Sequence, residues 1–522
     1  MSVAGTMRVT LKAFVCATAL ALTPVSLAAE VVPVVRFSVT RFVIEGPSPL
    51  SESAMQSVLA PFVGAHEGLE GLRSAADALE ASLRSAGYPF YRVNLPAQTL
   101  KGGTVVLRIA RFVVSRIEVT GNQYFSAANV RAAVPELVPG RSPNTKRLSR
   151  ELLLANDDPA RRIDLRFRES ETPGALDAVL AVKDSRPQTV FVAINNTGTS
   201  ATDESRATFG YQHSNLFDRD HNLTATYTTS PRKPQRVKQV GVNYRVPFYR
   251  RGGALSAFWT YSNVDTGSLS GFNVSGAGRF YGLSWLQHLP RLGRYRQTLT
   301  ASLEDREFLD TTRPVVPPIG VNSRSRPVSL RYTGRYLFPR GSLSGYLGFT
   351  RNIPRGRFND GRSYAARRFG ASPNWDALRF GGDFTHTLPA AWLLGARFDA
   401  QFAGEPLIPG EQFGVGGAQS VRGFDERALS GDNGYTAGVE AWAPRWKYGI
   451  RLLGFVDNGY FHNKQRQPGD LKPAQVASTG LGLRWTWRKH LSAQVDWAKV
   501  LVGAGDVSAG STKIHLNVVY RY

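Results

Sequence analysis

From about residue 188 onward the chain alternates. In "QVGVNYRVPF", Val240, Val242, Tyr244, Val246 and Phe248 occupy every second position, with Gln239, Gly241, Asn243 and Arg245 between them. "LLGARFDAQF" sets Leu394, Ala396, Phe398, Ala400 and Phe402 against Gly395, Arg397, Asp399 and Gln401. The final stretch, "KIHLNVVYRY", sets Ile514, Leu516, Val518, Tyr520 and Tyr522 against His515, Asn517 and Arg521. Successive side chains of a β-strand point to opposite faces, so each segment has one apolar and one polar face. About sixteen such segments of roughly ten residues follow one another between Gly/Asn/Asp turns, many with an aromatic residue near one end.

Residues 30–187 read differently, as two copies of one mixed pattern: a strand, two helices, then two strands. In the first copy "VRFSVTRFVIEG" is a strand. "SESAMQSVLAPFVG" and "LEGLRSAADALEASLRSAGY" carry apolar residues at helical spacing, with Ser51 as an N-cap. "YRVNLPAQTL" and "GTVVLRIAR" are strands joined by the turn Lys101-Gly102-Gly103. The second copy runs through "SRIEVTGN", "SAANVRAAV", "NTKRLSRELLLAND", "RIDLRFRES" and "ALDAVLAVKD". The matching order points to duplication, with boundaries at 30–110 and 111–187.

A soluble β-sandwich would also alternate. Here the polar face is rich in Gly, Ser, Asn and Arg and poor in Lys–Glu surface pairs, and the strand number is even. A closed barrel, apolar outside and polar inside, satisfies every backbone group in lipid. The expected fold is mainly β: a sixteen-stranded antiparallel transmembrane barrel, residues 188–522, preceded by two periplasmic α+β domains.

The first 29 residues fit an export signal: Arg8 and Lys12, the apolar run Ala13 to Leu22, and small residues before a cleavage site near Ala29. The only cysteine, Cys16, lies inside that signal, so disulfides and thiolate metal sites are excluded from the mature chain. No later segment approaches 18 uninterrupted apolar residues. The formal net charge is +24; residues 30–187 carry +3 of it and residues 188–522 carry +19. For an exported protein this excess points to phosphate-rich lipid headgroups, lipopolysaccharide or a translocating polypeptide, not to nucleic acid.

Catalytic motifs are weak. Asp265-Thr266-Gly267 matches an aspartic-protease triplet but lies in a hairpin connection without a second copy. "GAGRFYG", from Gly276, sits in a strand pattern with no helix after it, which a dinucleotide loop requires. The eight histidines form no metal motif and no nucleophile elbow occurs. No enzyme, cofactor or metal is expected.

Arg245, Arg331, Arg335, Arg379, Arg397, Arg451, Arg484 and Arg521 fall on polar strand faces. They fit a solvated lining counter-charged by Asp383, Asp399 and Asp496, or a cation-lined conduit. The long connection at 405–432 holds "VRGF", Val421, Arg422, Gly423 and Phe424. Some 35 residues on, "GFVDNGYF" puts Phe455, Asp457 and Gly459 on one face by period two, with Arg451 and Leu453. If the loop folds back into the barrel, Arg422 can meet Asp457 in a bidentate bond. An unrelated loop arginine and strand aspartate is the alternative.

These residues carry a resemblance. "SVRGFDERALSGDNG" with "GFVDNGYF", after two strand-helix-helix-strand-strand repeats, resembles the two-partner secretion transporters (TpsB) of the haemolysin secretion/activation family, within the BamA-like superfamily of POTRA-barrel proteins. "SAGYPFYRVNLPAQTLKGGTVVLRI" and "IEVTGNQYFSAANV" are similar to the end of a first and the start of a second POTRA domain, and "AINNTGT" to a first barrel strand. The resemblance implies a sixth extracellular loop folded inward, its arginine, Arg422, bonded to Asp457, and an inward Glu440 on strand twelve. It implies Tyr522 as the signal for the barrel-assembly machinery, with periplasmic chaperones assisting. It also implies export, and possible activation, of a large TpsA-type exoprotein across the Gram-negative outer membrane by a monomer. A barrel-assembly factor and a passive porin are the alternatives. Asp218 stands where the family usually has glycine, and only Glu30 to Val35 precede the first strand, so no plug helix is expected.

Overall fold

The computed structural model describes residues 35–199, 203–264, 276–309, 322–466 and 471–522. The signal segment, residues 30–34 and the Asp265-Thr266-Gly267 triplet lie outside the described residues.

The first α/β unit holds Arg41–Glu45, Thr104–Arg111 and Tyr91–Asn94 as a three-stranded sheet, with the central strand parallel to the first and antiparallel to the third. Helices α1 (Glu52–Leu59) and α2 (Glu70–Ser85) cover it, and Ser51 caps α1 by accepting the amide of Ala54. Leu59, Leu72, Leu79, Leu83, Val105 and Leu107 form its core. One element differs from the sequence reading. "VRFSVTRFVIEG" is two strands, not one. The chain breaks at Thr40, whose amide and hydroxyl bond the carbonyls of Gly103 and Gly102. Arg36–Val39 then pairs with Gly64–Glu67, a short strand in the connection between the two expected helices. "YRVNLPAQTL" keeps strand geometry only over Tyr91–Asn94, since Pro96 has no amide to donate.

The second unit repeats this order. Val113–Thr120, Ala175–Asp184 and Arg161–Glu169 make the sheet, again with a parallel and an antiparallel pairing. Helices α3 (Ala127–Ala132), capped by Ser126, and α4 (Thr145–Ala155), capped by Asn144, pack on it over Val130, Val134, Leu148 and Leu180.

The remainder closes into one antiparallel barrel of sixteen strands, with Gln188–Asn195 first and Thr512–Arg521 last. The eighth strand is interrupted: Ser323–Ser325 and Pro327–Phe338 both pair with the seventh, Tyr295–Phe308. The ring shuts where Asn517–Arg521 pairs with Phe191–Asn195 and Tyr522 exchanges backbone bonds with Val190. "GAGRFYG" leads into the sixth strand, Gly278–His288. Outward positions are exposed and apolar, including Leu347, Phe402, Val456 and Leu481, whereas Gln401, Asp457, Asp496 and His515 turn inward and are buried. No helix among the described residues is long and apolar enough to cross a membrane; the strands do so. Short turns lie at the end carrying the α/β units and long connections at the other.

Candidate functional site

The connection between the eleventh strand (Leu393–Ala403) and the twelfth (Asn433–Trp442) is not a free tip. It folds into the barrel and forms a small hairpin, Phe413–Val415 with Leu429–Gly431. Val415, Val421, Phe424 and Leu429 pack against Phe461, Val476 and Val500, which project inward from strands thirteen to fifteen. This apolar anchor fixes the tip that carries Arg422.

Arg422 is fully buried. Its Nε donates to Asp457 Oδ2 at 2.7 Å and its Nη2 to Oδ1 at 2.9 Å, while its backbone amide donates to Oδ2 at 3.2 Å. Nη2 also lies 2.8 Å from Glu440 Oε1, and Nη1 lies 3.7 Å from Asp496. The guanidinium stacks 3.3 Å from the centroid of Phe455. Isolated burial of this cation would cost several kcal/mol. Here two flat groups match in a bidentate fork, which fixes orientation as well as energy.

The positions around it follow from the same packing. Period two on strand thirteen (Ile450–His462) aims Leu453, Phe455, Asp457 and Gly459 inward. A Cβ at Gly459 would lie 2.7 Å from Val415 Cγ1 and 2.9 Å from Val421 Cγ2, so the loop can seat only over a glycine. Gly423 has φ +96°, a conformation that a side chain disfavours, and its amide donates to His515 Nε2 at 3.0 Å. That bond requires the His515 tautomer protonated on Nδ1.

The arginines of the polar strand faces take separate places. Arg397 joins the site: its Nη2 donates to Asp457 Oδ1 and to the Ser420 carbonyl, both at 2.8 Å, and its Nη1 lies 3.4 Å from Glu440. Arg484 pairs bidentately with Asp496 at 2.7 and 2.9 Å. Three arginines therefore face three carboxylates, Glu440, Asp457 and Asp496, and Trp442 Nε1 holds the other oxygen of Glu440 at 2.9 Å. Arg379 bonds Gln401 at 2.7 Å, and Arg331 lies 4.4 Å from the Tyr346 ring. Tyr346 in turn donates to Asp399 at 2.7 Å. Arg245, Arg335 and Arg451 sit at the end carrying the α/β units; Arg245 bonds Asp157 at 2.9 Å and Arg451 the Ala443 carbonyl at 2.6 Å. The lining is therefore a set of paired and stacked cations as much as a free positive surface.

Other contacts lack any signal in local spacing. Arg368, after α5 (Gly361–Arg367) in the ninth-to-tenth connection, pairs with the buried Asp432 at 2.6 and 3.1 Å. Asp432 also accepts the amides of Leu407 and Lys464, at 2.9 Å each. Arg306 donates to the buried Glu411 at 2.6 Å. Three outer connections are thus tied over the mouth of the barrel. No cluster of three or more potential metal ligands occurs among the described residues.

A closed sixteen-stranded barrel with a lipid-compatible outer face, an inward-folded connection and α/β units at its short-turn end defines a class: an outer-membrane POTRA-barrel transporter. The profile described as "Haemolysin secretion/activation protein ShlB/FhaC/HecB" matches residues 174–485, and that of the "POTRA domain, ShlB-type" matches residues 37–111. The chain belongs to the haemolysin secretion/activation family, two-partner secretion transporters of the outer membrane that export a partner protein, with the POTRA end in the periplasm. It is 22% identical over 466 residues to the outer membrane transporter CdiB of Escherichia coli, covering 85% of this chain and 76% of that one. The heme/hemopexin transporter protein HuxB of Haemophilus influenzae is 20% identical over 458 residues, 85% of this chain and 80% of its own. The solved structure of CdiB from Escherichia coli superposes with a TM-score of 0.76 at 19% identity, covering 96% of this chain and 93% of that one. CdiB from Acinetobacter baumannii gives 0.70 at 17% identity, covering 93% and 90%.

Proposed function

We propose that the chain exports one large TpsA-type exoprotein, delivered unfolded by periplasmic chaperones, and that the connection at 405–432 is the working element of its pore. In this reading residues 1–29 are the export signal, 30–110 and 111–187 are two POTRA domains that receive the substrate, and 188–522 is the conduit. The Arg422–Asp457 bond holds the loop in one position, with Glu440 shared between Arg422 and the second cation, Arg397. The observation that carries the reading is the fully buried bidentate pair, seated over Gly459 and joined to the wall by Gly423 and His515.

Energy for passage comes from the cargo folding outside, since no phosphate-binding loop is present in the sequence. The polar lumen offers the extended chain hydrogen-bonding groups, and the inward apolar patch of Phe461, Val476 and Val500 is covered by the loop. Tyr522, at the closing seam, serves recognition by the barrel-assembly machinery. The transporter works as a monomer in lipid and lipopolysaccharide, without nucleic acid, metal or cofactor. Arg422→Ala is expected to leave a folded, heat-modifiable barrel in the outer membrane and to abolish export; undiminished export by that variant contradicts the role given to the loop.

A further inference from the structure

The second α/β unit meets the barrel through a buried polar cluster outside the loop site. Arg161, the first residue of its strand Arg161–Glu169, has a fully buried side chain. Its two terminal nitrogens donate to Asp220 Oδ1 and Oδ2, each at 2.9 Å. Asp220 belongs to the turn between the second barrel strand (Arg206–Leu216) and the third (His221–Thr229). Tyr249, in the next turn on the same rim, donates its hydroxyl to Asp220 and lies 3.3 Å from Arg161 Nη2. From α3, Asn129 accepts from Arg161 at 2.5 Å and donates to Asp220 at 2.8 Å and to the Asp218 carbonyl at 3.0 Å. Ser126 bonds the Asp218 carboxylate. Both aspartates sit at positive φ, +54° and +58°.

A second, more open contact lies to one side. Asp157, past the end of α4, accepts from Arg245 and His288 of the barrel wall, each at 2.9 Å. Beside this second contact, and lined by Asp157 and His288 themselves, is a cavity of about 520 Å³, bounded by Leu148, Leu152 and Arg162 on the unit and by Arg296 and Arg335 on the barrel rim.

Units joined within one chain move relative to one another unless their interface restrains them. A buried ion pair contributes little net stability, but its desolvation is offset only in the geometry where every partner is met, so it selects that geometry. Here the partners come from two elements of the unit, α3 with its cap and the strand Arg161–Glu169, and from two turns of the barrel, and a rotation of the unit breaks them together. We infer that Arg161 and Asp220 form a positioning clamp that fixes the second unit as a side wall of the periplasmic entrance, with α4 over the mouth and the cavity as its vestibule. This rests on the transport reading above for what enters, but not for the clamp itself.

The test uses the full chain in membranes. Its only cysteine is Cys16, in the signal segment. A Cβ added at Gly252 would lie 3.2 Å from Arg150 Cβ across the same junction. Disulfides need about 3.5–4.5 Å between these atoms, a shift of a few tenths of an ångström, and a cysteine at Gly252 takes the left-handed φ of +66°, a strained conformation that several non-glycine residues of this chain also hold. The pair Arg150→Cys/Gly252→Cys is expected to oxidise readily, and at least about tenfold more slowly when Arg161→Ala or Asp220→Asn is added, in line with the loss of a buried pair. Asp220→Asn leaves the second unit's own sequence intact and separates misfolding of that unit from loss of the clamp. In cells exporting a partner, Arg161→Ala lowers export about tenfold or more, and closing the disulfide restores it until reductant is added. Unchanged cross-linking in the Arg161 and Asp220 variants overturns the clamp. So does a closed disulfide that fails to restore export, or that blocks export by the otherwise unaltered chain. If the unaltered chain exports nothing, the transport reading fails, while the cross-linking arm, which needs no partner, still decides the clamp.

Discussion

Replacing Asp457 by alanine removes the acceptor of four hydrogen bonds, three from Arg422 and one from Arg397. The cluster changes from three cations facing three carboxylates to three facing two, around the fully buried Arg422. Breaking a buried pair from one side costs about 3–5 kcal/mol. At about 1.4 kcal/mol per tenfold, the ratio of docked to undocked loop falls by at least about a hundredfold. Arg422→Ala is expected to undock the loop as well, but leaves Asp457 paired with Arg397, so its cost is smaller. The double variant should cost less than the sum, with a coupling of about 1–3 kcal/mol. Hydrogen exchange of a peptide spanning residues 416–424, in detergent-solubilised protein, reads this directly. The amides of Arg422 and Gly423 bond Asp457 and His515, and that of Gly417 bonds the Val421 carbonyl. Exchange should accelerate by the stated factor while the barrel strands stay protected. Unchanged exchange in Asp457→Ala, or strictly additive costs, would refute the claim that this pair holds the loop.

Two further outcomes follow from other parts of the molecule. Arg368→Ala should loosen the three outer connections that meet at Asp432 and raise both the frequency and the size of open events in planar-bilayer recordings; currents identical to the unaltered chain count against a closed outer mouth. In the second α/β unit, burial raises the Glu151 carboxyl to about 7, with the Glu136 carboxylate adding to the rise and its backbone amide opposing it. A raised folded pKa favours the protonated fold. The stabilising contribution is thus complete below the ordinary value of 4.5 and lost as pH climbs through about 7. Hydrogen exchange of α4 should therefore be slower, after correction for intrinsic rates, at pH 5 than at pH 8, and Glu151→Gln should abolish the difference.

Much of this architecture is legible in alternation, because a half-lipid, half-water strand has only one workable pattern. Period two alone places Asp457, Phe455 and Gly459 on one inner face and Glu440 on another. It cannot give the depth to which a connection folds back, which is set by the packing of Val421 and Phe424 on strands thirteen to fifteen. For the same reason Arg397, Asp496 and His515 join the site without a local signal: their contacts to the loop cross between elements far apart in sequence. Arg368 with Asp432 and Arg161 with Asp220 are hidden in the same way. The break at Thr40 carries no local signal, because its cause, the carbonyls of Gly102 and Gly103, lies some sixty residues on. Asp218 keeps a left-handed conformation while serving as a partner for Ser126 and Asn129, contacts that no local pattern announces.

The central claim is that an exported chain passes through this lumen. A photo-crosslinking residue placed at Arg331 or Arg335, on the inner face of the eighth strand, tests it against one placed at Leu343 or Leu347, on the lipid face of the ninth. With a partner stalled during export, the account predicts adducts from the two inner positions and none from the outer pair. Adducts from the lipid face alone, or none from the lumen while export proceeds, would contradict it.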